Sequence, residues 1–217
     1  MMERSKLRMM IAGLAVVATL TATATMTGCG TGDDTSGDDE SDAPQVAAST
    51  RNHLVWKRYH AVEQDLSRAL ELSTDELCTE LGEYNCVQEV HLAGLGGNNP
   101  FVQALYEPLS DPLVTTSLAL DRIAMSACKA RVERDRSAPV VFTKLDLEGD
   151  APAADSEAFT ESVDALYRRL LSRDPVAAEY EVLAQLLVDD AGEAVSAASF
   201  AHEACFVVAT TTEFLFL

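Results

Sequence analysis

Apolar residues recur at helical spacing where the folded part of the chain begins. Intervals of four, three, four and three residues place them on one face of an amphipathic helix, predicted over residues 51–71. The members of this stripe are Val55, Tyr59, Val62, Leu66 and Ala69. Directly afterwards, Ser73 and Glu76 have the spacing of a capping box. This spacing predicts a short helix, which Gly82 is expected to end.

The middle of the chain is less regular. Residues 83–112 contain the string GLGGNNP and two further prolines, which predict a long irregular loop. A helix is then predicted from Pro112 or Thr116 to Arg134, because helical spacing returns there. Its predicted inward-facing residues are Leu118, Ile123, Ala127 and Ala130. The string APVVFTKLDLEGDAPAAD predicts an extended loop with at most one short strand, at Val140–Thr143.

Helical spacing also marks the last third of the chain. Ser156 is the predicted N-cap of a helix that ends before Pro175, since the residue ahead of a proline is pushed out of helical geometry. A second helix is predicted from Pro175, and a final one over about residues 193–211. The apolar tail EFLFL (213–217) is expected to dock on the core. The pattern predicts an all-α fold, an irregular bundle of five or six helices with one long loop.

Residues 1–28 have the layout of an export signal. Basic residues precede an uncharged run, Met9–Met26, and small residues then lead to a cysteine. The string MTGC resembles the cleavage site of bacterial lipoprotein signals, with Met26 where leucine is commonest. The resemblance implies cleavage after Gly28 and a diacylglycerol, with acyl chains such as palmitate, on the Cys29 thiol. Two alternatives stay open: ordinary signal cleavage without a lipid, and an uncleaved segment that spans the membrane.

Residues 29–50 are mainly Gly, Ser, Thr and Asp, with almost nothing to bury. This composition predicts a disordered acidic linker that holds a single folded domain, 51–217, away from the lipid anchor. A subdivision of that domain near residue 150 is possible. Gly30 is not the aspartate that retains enterobacterial lipoproteins at the inner membrane, which favours the outer membrane. The net charge of −19 argues against nucleic-acid binding, because the chain repels phosphate backbones.

Four cysteines are left once Cys29 is set aside. An even number in an exported protein predicts disulfides, and four cysteines allow three pairings. We expect Cys78–Cys86, which closes a short loop, and Cys128–Cys205, which joins two apolar helical stretches. Four buried free thiols are the alternative. The chain contains neither CxxC nor CxxCH, and no cysteine has a histidine at ligand spacing, so no metal, haem or other cofactor is expected.

Two histidines and a tryptophan share one face of the first predicted helix. His53 and His60 lie two turns apart, about 10 Å along the axis, so they cannot bind one metal ion directly. Only Glu63 or Gln64 is close enough to His60, which makes His60 and Glu63 the metal candidates. A contact with a partner through Trp56 and its neighbouring histidines is the preferred interpretation.

His91 is the best lone catalytic candidate. It lacks a nucleophile in a recognisable motif, because the chain has no GxSxG and its cysteines are expected in disulfides. The neighbouring GLGGNNP, 94–100, lacks the Lys-Ser/Thr ending of a phosphate loop and is interpreted as a turn. His202 and Glu203 are interpreted as surface residues. No catalytic residue is therefore predicted.

The strings YRR and SRDP carry charges that could grip an anionic partner, since arginine binds carboxylates through two hydrogen bonds. In so acidic a chain, pairing within the chain is the preferred interpretation. The residues concerned are Arg168, Arg169, Arg173 and Asp174.

Two stretches are similar to uncharacterised bacterial families. ALYRRLLSRDPVAAEYEVLAQLL (165–187) followed by ACFVVATTTEFLFL (204–217) resembles a helical module of large secreted proteins of planctomycetes and myxobacteria. Those proteins often carry c-type haem domains elsewhere in the chain. Residues 90–135, from VHLAGLGG to KARVERD, resemble a small family of myxobacterial lipoproteins of unknown role. Neither resemblance implies a reaction.

These features favour a noncatalytic, lipid-anchored envelope protein that acts as an interaction or assembly subunit with an envelope protein as its partner. The alternative is a ligand-binding protein or an enzyme with a site around residues 91–112. A third hypothesis, an accessory to an envelope redox complex, depends on the resemblance alone. An exposed apolar surface would favour the first hypothesis, and a buried pocket with His91 beside a carboxylate or hydroxyl would favour the second.

Overall fold

The computed structural model describes residues 55–216. The leader (1–28), Cys29, the whole acidic linker (29–50) and His53 lie outside the described residues, so the predictions made for residues 1–54 stay predictions. Among the helices of residues 55–216, none has both the length and the apolar character needed to cross a bilayer. Helices dominate this part of the chain, as the hydrophobic pattern predicts.

The described residues form eight α-helices, two short helices of other types and one small hairpin. The α-helices are α1 (Tyr59–Leu70), α2 (Thr74–Leu77), α3 (Pro100–Gln103), α4 (Val114–Asp135), α5 (Glu157–Leu170), α6 (Ala177–Ala184), α7 (Ala197–Ala209) and α8 (Thr212–Leu215). The hairpin pairs β1 (Thr79–Glu80) with β2 (Tyr84–Asn85), and a π-helix covers Cys86–Val90. A single 3₁₀ turn, Gln185–Leu187, extends α6.

Four helices surround the core in the cyclic order α1, α4, α7, α5, each packed against its two neighbours. Most members of the apolar stripes predicted for these helices face inward and are buried, as at Leu66, Val163 and Phe200. The Cys128–Cys205 disulfide joins α4 to α7 inside this core. Two inward predictions are wrong. Val55 precedes α1 and is 53% exposed, and Leu118 is 61% exposed, although Ala119 and Leu120 beside it in α4 are buried.

The first helix begins at Tyr59 and not at residue 51, because the backbone just before it pairs with the C-terminal segment. Lys57 N–H donates to the carbonyl of Leu215 at 2.8 Å, and Trp56 forms an antiparallel bridge with Phe216. These extended residues therefore hold the C-terminal segment against the start of the domain. The predicted docking of the apolar tail is confirmed, since the Phe214 side chain is 1% exposed.

The short hairpin follows α2 and was not predicted. Ser73 and Glu76 form the predicted cap, with the Glu76 carboxylate accepting hydrogen bonds from the Ser73 N–H and hydroxyl. However, α2 ends at Leu77, and Gly82 serves instead as the turn of the hairpin, where its φ of +73° suits a residue without a side chain. The Cys78–Cys86 disulfide closes the base of the hairpin.

No strand forms at Val140–Thr143, which agrees with the predicted loop of at most one short strand. The Asp135 carboxylate takes the place of a strand partner, because it accepts hydrogen bonds from the N–H groups of Val140, Val141 and Phe142 at 2.8, 3.1 and 2.8 Å. Arg131 lies 2.7 Å from the same carboxylate, and both side chains are almost completely buried. Arg131 also donates to the Leu70 carbonyl at 3.1 Å, which ties the end of α1 to α4.

The C-terminal helices largely follow the prediction. Ser156 is the N-cap of α5, with its hydroxyl accepting a hydrogen bond from Phe159 N–H at 3.2 Å. The next helix begins at Ala177, two residues beyond Pro175, and α7 occupies Ala197–Ala209 within the longer range expected. Extended backbone before α7 pairs with neighbouring loops, which shortens that helix at its N-terminal end.

Candidate functional site

The hairpin brings His91 into a small charged cluster. His91 follows the π-helix, and its N–H donates to the Cys86 carbonyl at 2.8 Å. Its ring Nε2 lies 3.1 Å from Oε1 of Glu80 on β1, and a guanidinium nitrogen of Arg122 on α4 lies 2.9 Å from the same oxygen. His91 and Glu80 are half-buried, whereas Arg122 is largely exposed. The cluster thus links the hairpin to α4.

Beside this cluster, an open groove of about 450 Å³ runs between the hairpin and α4. We call it the hairpin groove. Its lining residues are Cys78, Thr79, Glu80, Leu81, Arg122, Met125, Ser126 and Lys129. Leu81 and Met125 leave 92% and 48% of their surfaces exposed, so the groove presents apolar side chains beside two cations.

The charges of the hairpin groove differ from those elsewhere in the domain. Residues 55–216 contain twelve lysines and arginines, and ten of them form ion pairs within that range. The two without an ion pair among these residues are Arg58 and Lys129. Lys129 lines the hairpin groove and is seven residues, or two helical turns, from Arg122 on the same face of α4. The groove therefore offers an ammonium group to a carboxylate of another molecule.

The His91 cluster lacks the arrangement of a nucleophilic catalyst. Within residues 55–216, the ring of His91 forms its hydrogen bond with Glu80, and no serine, threonine or cysteine side chain bonds to it. The Glu80 carboxylate is shared with Arg122, which holds it in place as part of an ion-pair network. This geometry suits binding and orientation of a polar group more than proton transfer to a reacting hydroxyl.

The metal candidates on α1 do not come together. The Glu63 carboxylate is buried and accepts a hydrogen bond from the Gln88 side chain at 2.7 Å. His60 is exposed and stacks on Tyr59, with ring centroids 4.2 Å apart. In the described range, no three histidine, cysteine, aspartate or glutamate side chains are grouped so that they could hold a metal ion.

The arginines of the YRR and SRDP strings bind groups of their own chain, as the preferred interpretation expected. Arg173 contacts Glu179 at 2.6 Å and Glu213 at 2.7 Å, and so connects α6 to α8. Hydrogen bonds from Arg173 lower the pKa of both glutamates. Arg168 pairs with Asp164, one turn earlier in α5, and with Asp174 in the loop that follows α5.

Arg169 has a more structural position. It lies 2.9 Å from Glu71, and it donates to the carbonyls of Ala69 and Val140. Together with Arg131, it satisfies carbonyl groups at the end of α1, where a helix leaves its last carbonyls without partners.

The GLGGNNP string forms a turn that packs closely under α1. Gly96 has a φ of +72°, and a side-chain carbon added there would lie 2.9 Å from the Trp56 ring. A carbon added at Gly97 would collide with Leu92 and Tyr59. Close packing thus explains Gly96 and Gly97, which agrees with the interpretation of this string as a turn.

His202 is half-buried on α7, and its ring Nε2 lies 3.1 Å from the Met125 carbonyl on α4. Glu203 is exposed. Neither residue contacts the His91 cluster in the described structure. These positions agree with structural and surface roles.

Comparison of the chain with protein-family models, with curated proteins and with solved structures finds no match.

Sequence reasoning located His91 but missed the residues that surround it. Glu80 and Arg122 are 42 positions apart in the sequence. They meet because the hairpin that carries Glu80 lies against α4. One signal was present in the sequence: Arg122 and Lys129 are seven residues apart on a predicted helix, which places both on the same face. The runner-up site around residues 91–112 is only partly assembled, because the partners of His91 lie outside that range.

Proposed function

We propose that this protein is a noncatalytic, lipid-anchored bacterial envelope protein that acts as an interaction or assembly subunit. The signal at residues 1–28 directs export, the lipid on Cys29 anchors the chain, and residues 29–50 form the acidic tether to the helical domain. The two disulfides support an oxidising compartment outside the cytoplasm, since disulfides persist there. Gly30 supports the outer membrane as the destination.

The observation that carries the interaction role is the hairpin groove. Most cations of the domain are neutralised internally, whereas Lys129 is exposed beside Leu81 and Met125. Arginine and methionine are enriched at protein interfaces, and exposed apolar side chains gain free energy when a partner covers them. The groove therefore fits a segment of an envelope protein that carries a carboxylate next to an apolar side chain.

The anchor is tested by metabolic lipid labelling. Wild-type protein should incorporate labelled fatty acid and be processed at Cys29, and globomycin should block the processing. Cys29→Ser should abolish the label. Unchanged labelling and processing in Cys29→Ser would remove the anchor from the proposal.

The interaction role is tested by chemical cross-linking in intact envelopes, followed by purification of the protein. Wild-type protein should yield a reproducible cross-linked partner, and the Leu81→Ser/Lys129→Glu variant should lose it. The matched control is Val182→Ser/Lys144→Glu, which changes an exposed valine and an exposed lysine away from the groove. Equal cross-linking of all three proteins would contradict a role of the hairpin groove.

A second candidate, a ligand-binding protein or an enzyme, is favoured by the His91–Glu80 contact at 3.1 Å. Binding of a small carboxylate that His91→Gln abolishes, while Leu81→Ser does not, would favour this candidate over the first. The redox-accessory hypothesis has only the resemblance to support it.

A further inference from the structure

A second exposed apolar surface lies on the loop that leads into α4. We call residues 98–114 the α3 loop. Phe101 is 100% exposed, Val102 79%, Tyr106 78% and Val114 89%. Asn99 caps α3, with its side chain accepting from Val102 N–H, and Asn98 donates to the Tyr106 carbonyl at 3.1 Å. The turn is therefore held by polar contacts while its apolar side chains point away from the core.

Residues of the α3 loop lie on both sides of Trp56, near the first described residue of the domain. Pro108 lines a groove of about 450 Å³ together with Val55, Trp56 and Arg58. On the other side of Trp56, Leu113 and Phe216 line an apolar groove of about 250 Å³. Pro108 and Leu113 of the α3 loop thus lie near Trp56 and the start of the described chain, which continues toward Cys29.

The α3 loop also carries few charges. Between His91 and Asp121 the sequence contains only Glu107 and Asp111, in a chain whose net charge is −19. It carries no lysine or arginine that would attract a lipid phosphate. Contact with a bilayer through this surface would therefore depend on apolar burial and not on charge.

The length of chain between Cys29 and Val55 fits contact with the bilayer. Those 25 intervening residues span at most roughly 90 Å when fully extended, and roughly 25–30 Å on average as a flexible coil. An anchored domain therefore spends its time within a few nanometres of the lipid surface. The face nearest the tether meets that surface first.

We infer that the α3 loop docks the domain onto the bilayer, with Phe101, Val102 and Tyr106 entering the headgroup region. Exposed aromatic and aliphatic side chains on a polar scaffold bind the membrane interface in this way. The inference rests on the proposed lipid anchor, which brings the domain to the bilayer. The preferred surface is zwitterionic, because an acidic domain is repelled by anionic lipids.

The chain contains a single tryptophan, which provides the probe. Trp56 lies between the two grooves beside the α3 loop, and lipids brominated along their acyl chains quench a tryptophan that comes close to them. The protein from residue 29 onward, with Ser in place of Cys29, is held on vesicles by six N-terminal histidines and nickel-chelating lipid. This attachment replaces the natural anchor, so the docking test is independent of whether Cys29 is lipidated.

On zwitterionic vesicles, brominated lipid should quench the fluorescence of Trp56. Salt at 0.5 M should leave the quenching unchanged, because it shortens the Debye length to roughly 4–5 Å and so screens charge interactions but not apolar burial. Phe101→Ser should lower the ratio of docked to undocked protein roughly ten- to hundredfold, since one buried phenylalanine contributes that much to an equilibrium. The matched control is Leu81→Ser, an equally exposed apolar residue in the hairpin groove, and it should not change the quenching.

Absence of quenching in the vesicle-bound protein would overturn the inference, as would equal quenching in Phe101→Ser. If Phe101→Ser instead removes a cross-linked protein from envelopes while Trp56 stays unquenched, the α3 loop binds a protein and not the bilayer. Flotation of the natural protein with vesicles, compared with Cys29→Ser, tests the anchor separately. Failure of flotation with preserved quenching would contradict the anchor alone.

Discussion

The helical core and the segment between Cys78 and Leu113 use apolar residues in opposite ways. In the core, α1, α4, α5 and α7 bury their apolar stripes, and the Arg131–Asp135 ion pair is buried with them. In the 78–113 segment, several large apolar side chains face outward, among them Leu81, Phe101 and Tyr106. The disulfide, the capped turns and the packed glycines fix the backbone of this segment, so its surface can carry binding without contributing to the core.

Removing the two disulfides separately should produce the largest difference between these regions. In the chain-entropy model, loss of Cys128–Cys205, which spans 77 positions, costs about 4.5 kcal/mol, and loss of Cys78–Cys86, which spans 8, about 2.5 kcal/mol. Urea denaturation of the Cys128→Ala/Cys205→Ala and Cys78→Ala/Cys86→Ala proteins measures both. Equal losses would show that the hairpin is part of the same cooperative core.

Asp135→Ala should destabilise the domain by about 3–4 kcal/mol, because it leaves Arg131 buried without its counter-charge and removes the acceptor of three N–H groups. Thermal unfolding followed by circular dichroism measures the change. Asp174→Ala, which alters an exposed surface pair, is the control and should cost less than about 1 kcal/mol. A similar loss for both variants would contradict the importance of the buried pair.

Glu213→Gln should have a smaller and pH-dependent effect. The hydrogen bonds from Arg173 lower the pKa of Glu213 in the folded protein, so its ionised form stabilises the fold above the unfolded pKa of about 4.3. That contribution is lost as the pH falls through the folded pKa. Because Glu213 is half-exposed, we expect at most about 1 kcal/mol at pH 7.

The wild-type and Glu213→Gln melting temperatures should therefore differ at pH 7 and converge as the pH falls through the folded-state pKa of Glu213. A constant difference across that range would mean that Glu213 acts by packing and not by its charge. Glu181→Gln, an exposed position of α6 outside the Arg173 ion pairs, is the matched control variant.

The smallest effects on stability should come from the surfaces proposed to bind. Leu81→Ser and Phe101→Ser should each change the free energy of unfolding by less than about 0.5 kcal/mol, because both side chains are exposed. Chemical denaturation checks this. A loss of 2 kcal/mol or more, on the scale of a core substitution, would place either residue in the folding core and weaken its proposed role.

The sequence predicts the core of this domain well because the core depends on periodic apolar positions. The stripes of α1 and α5 and the N-cap Ser156 follow from local patterns, and both disulfides follow the expected pairing. Such signals need only neighbouring residues. These features can therefore be predicted without knowledge of the tertiary structure.

The errors lie where distant parts of the chain determine local structure. Trp56 and Lys57 are extended because the C-terminal segment pairs with them, so α1 begins later than the pattern predicts. The His91 cluster has the same origin, since Glu80 and Arg122 meet through the hairpin. Periodicity contains no information about such pairings.

The bridge between Trp56 and Phe216 gives the described domain the topology of a nearly closed ring. Its first and last described residues lie close together, and an exposed turn at 189–192 offers another place where the chain could begin and end. Domains whose ends meet in this way tolerate insertion into a host protein or circular permutation. We therefore expect the helices of this domain to pack in the same way when its two ends are joined and the chain is opened at the 189–192 turn.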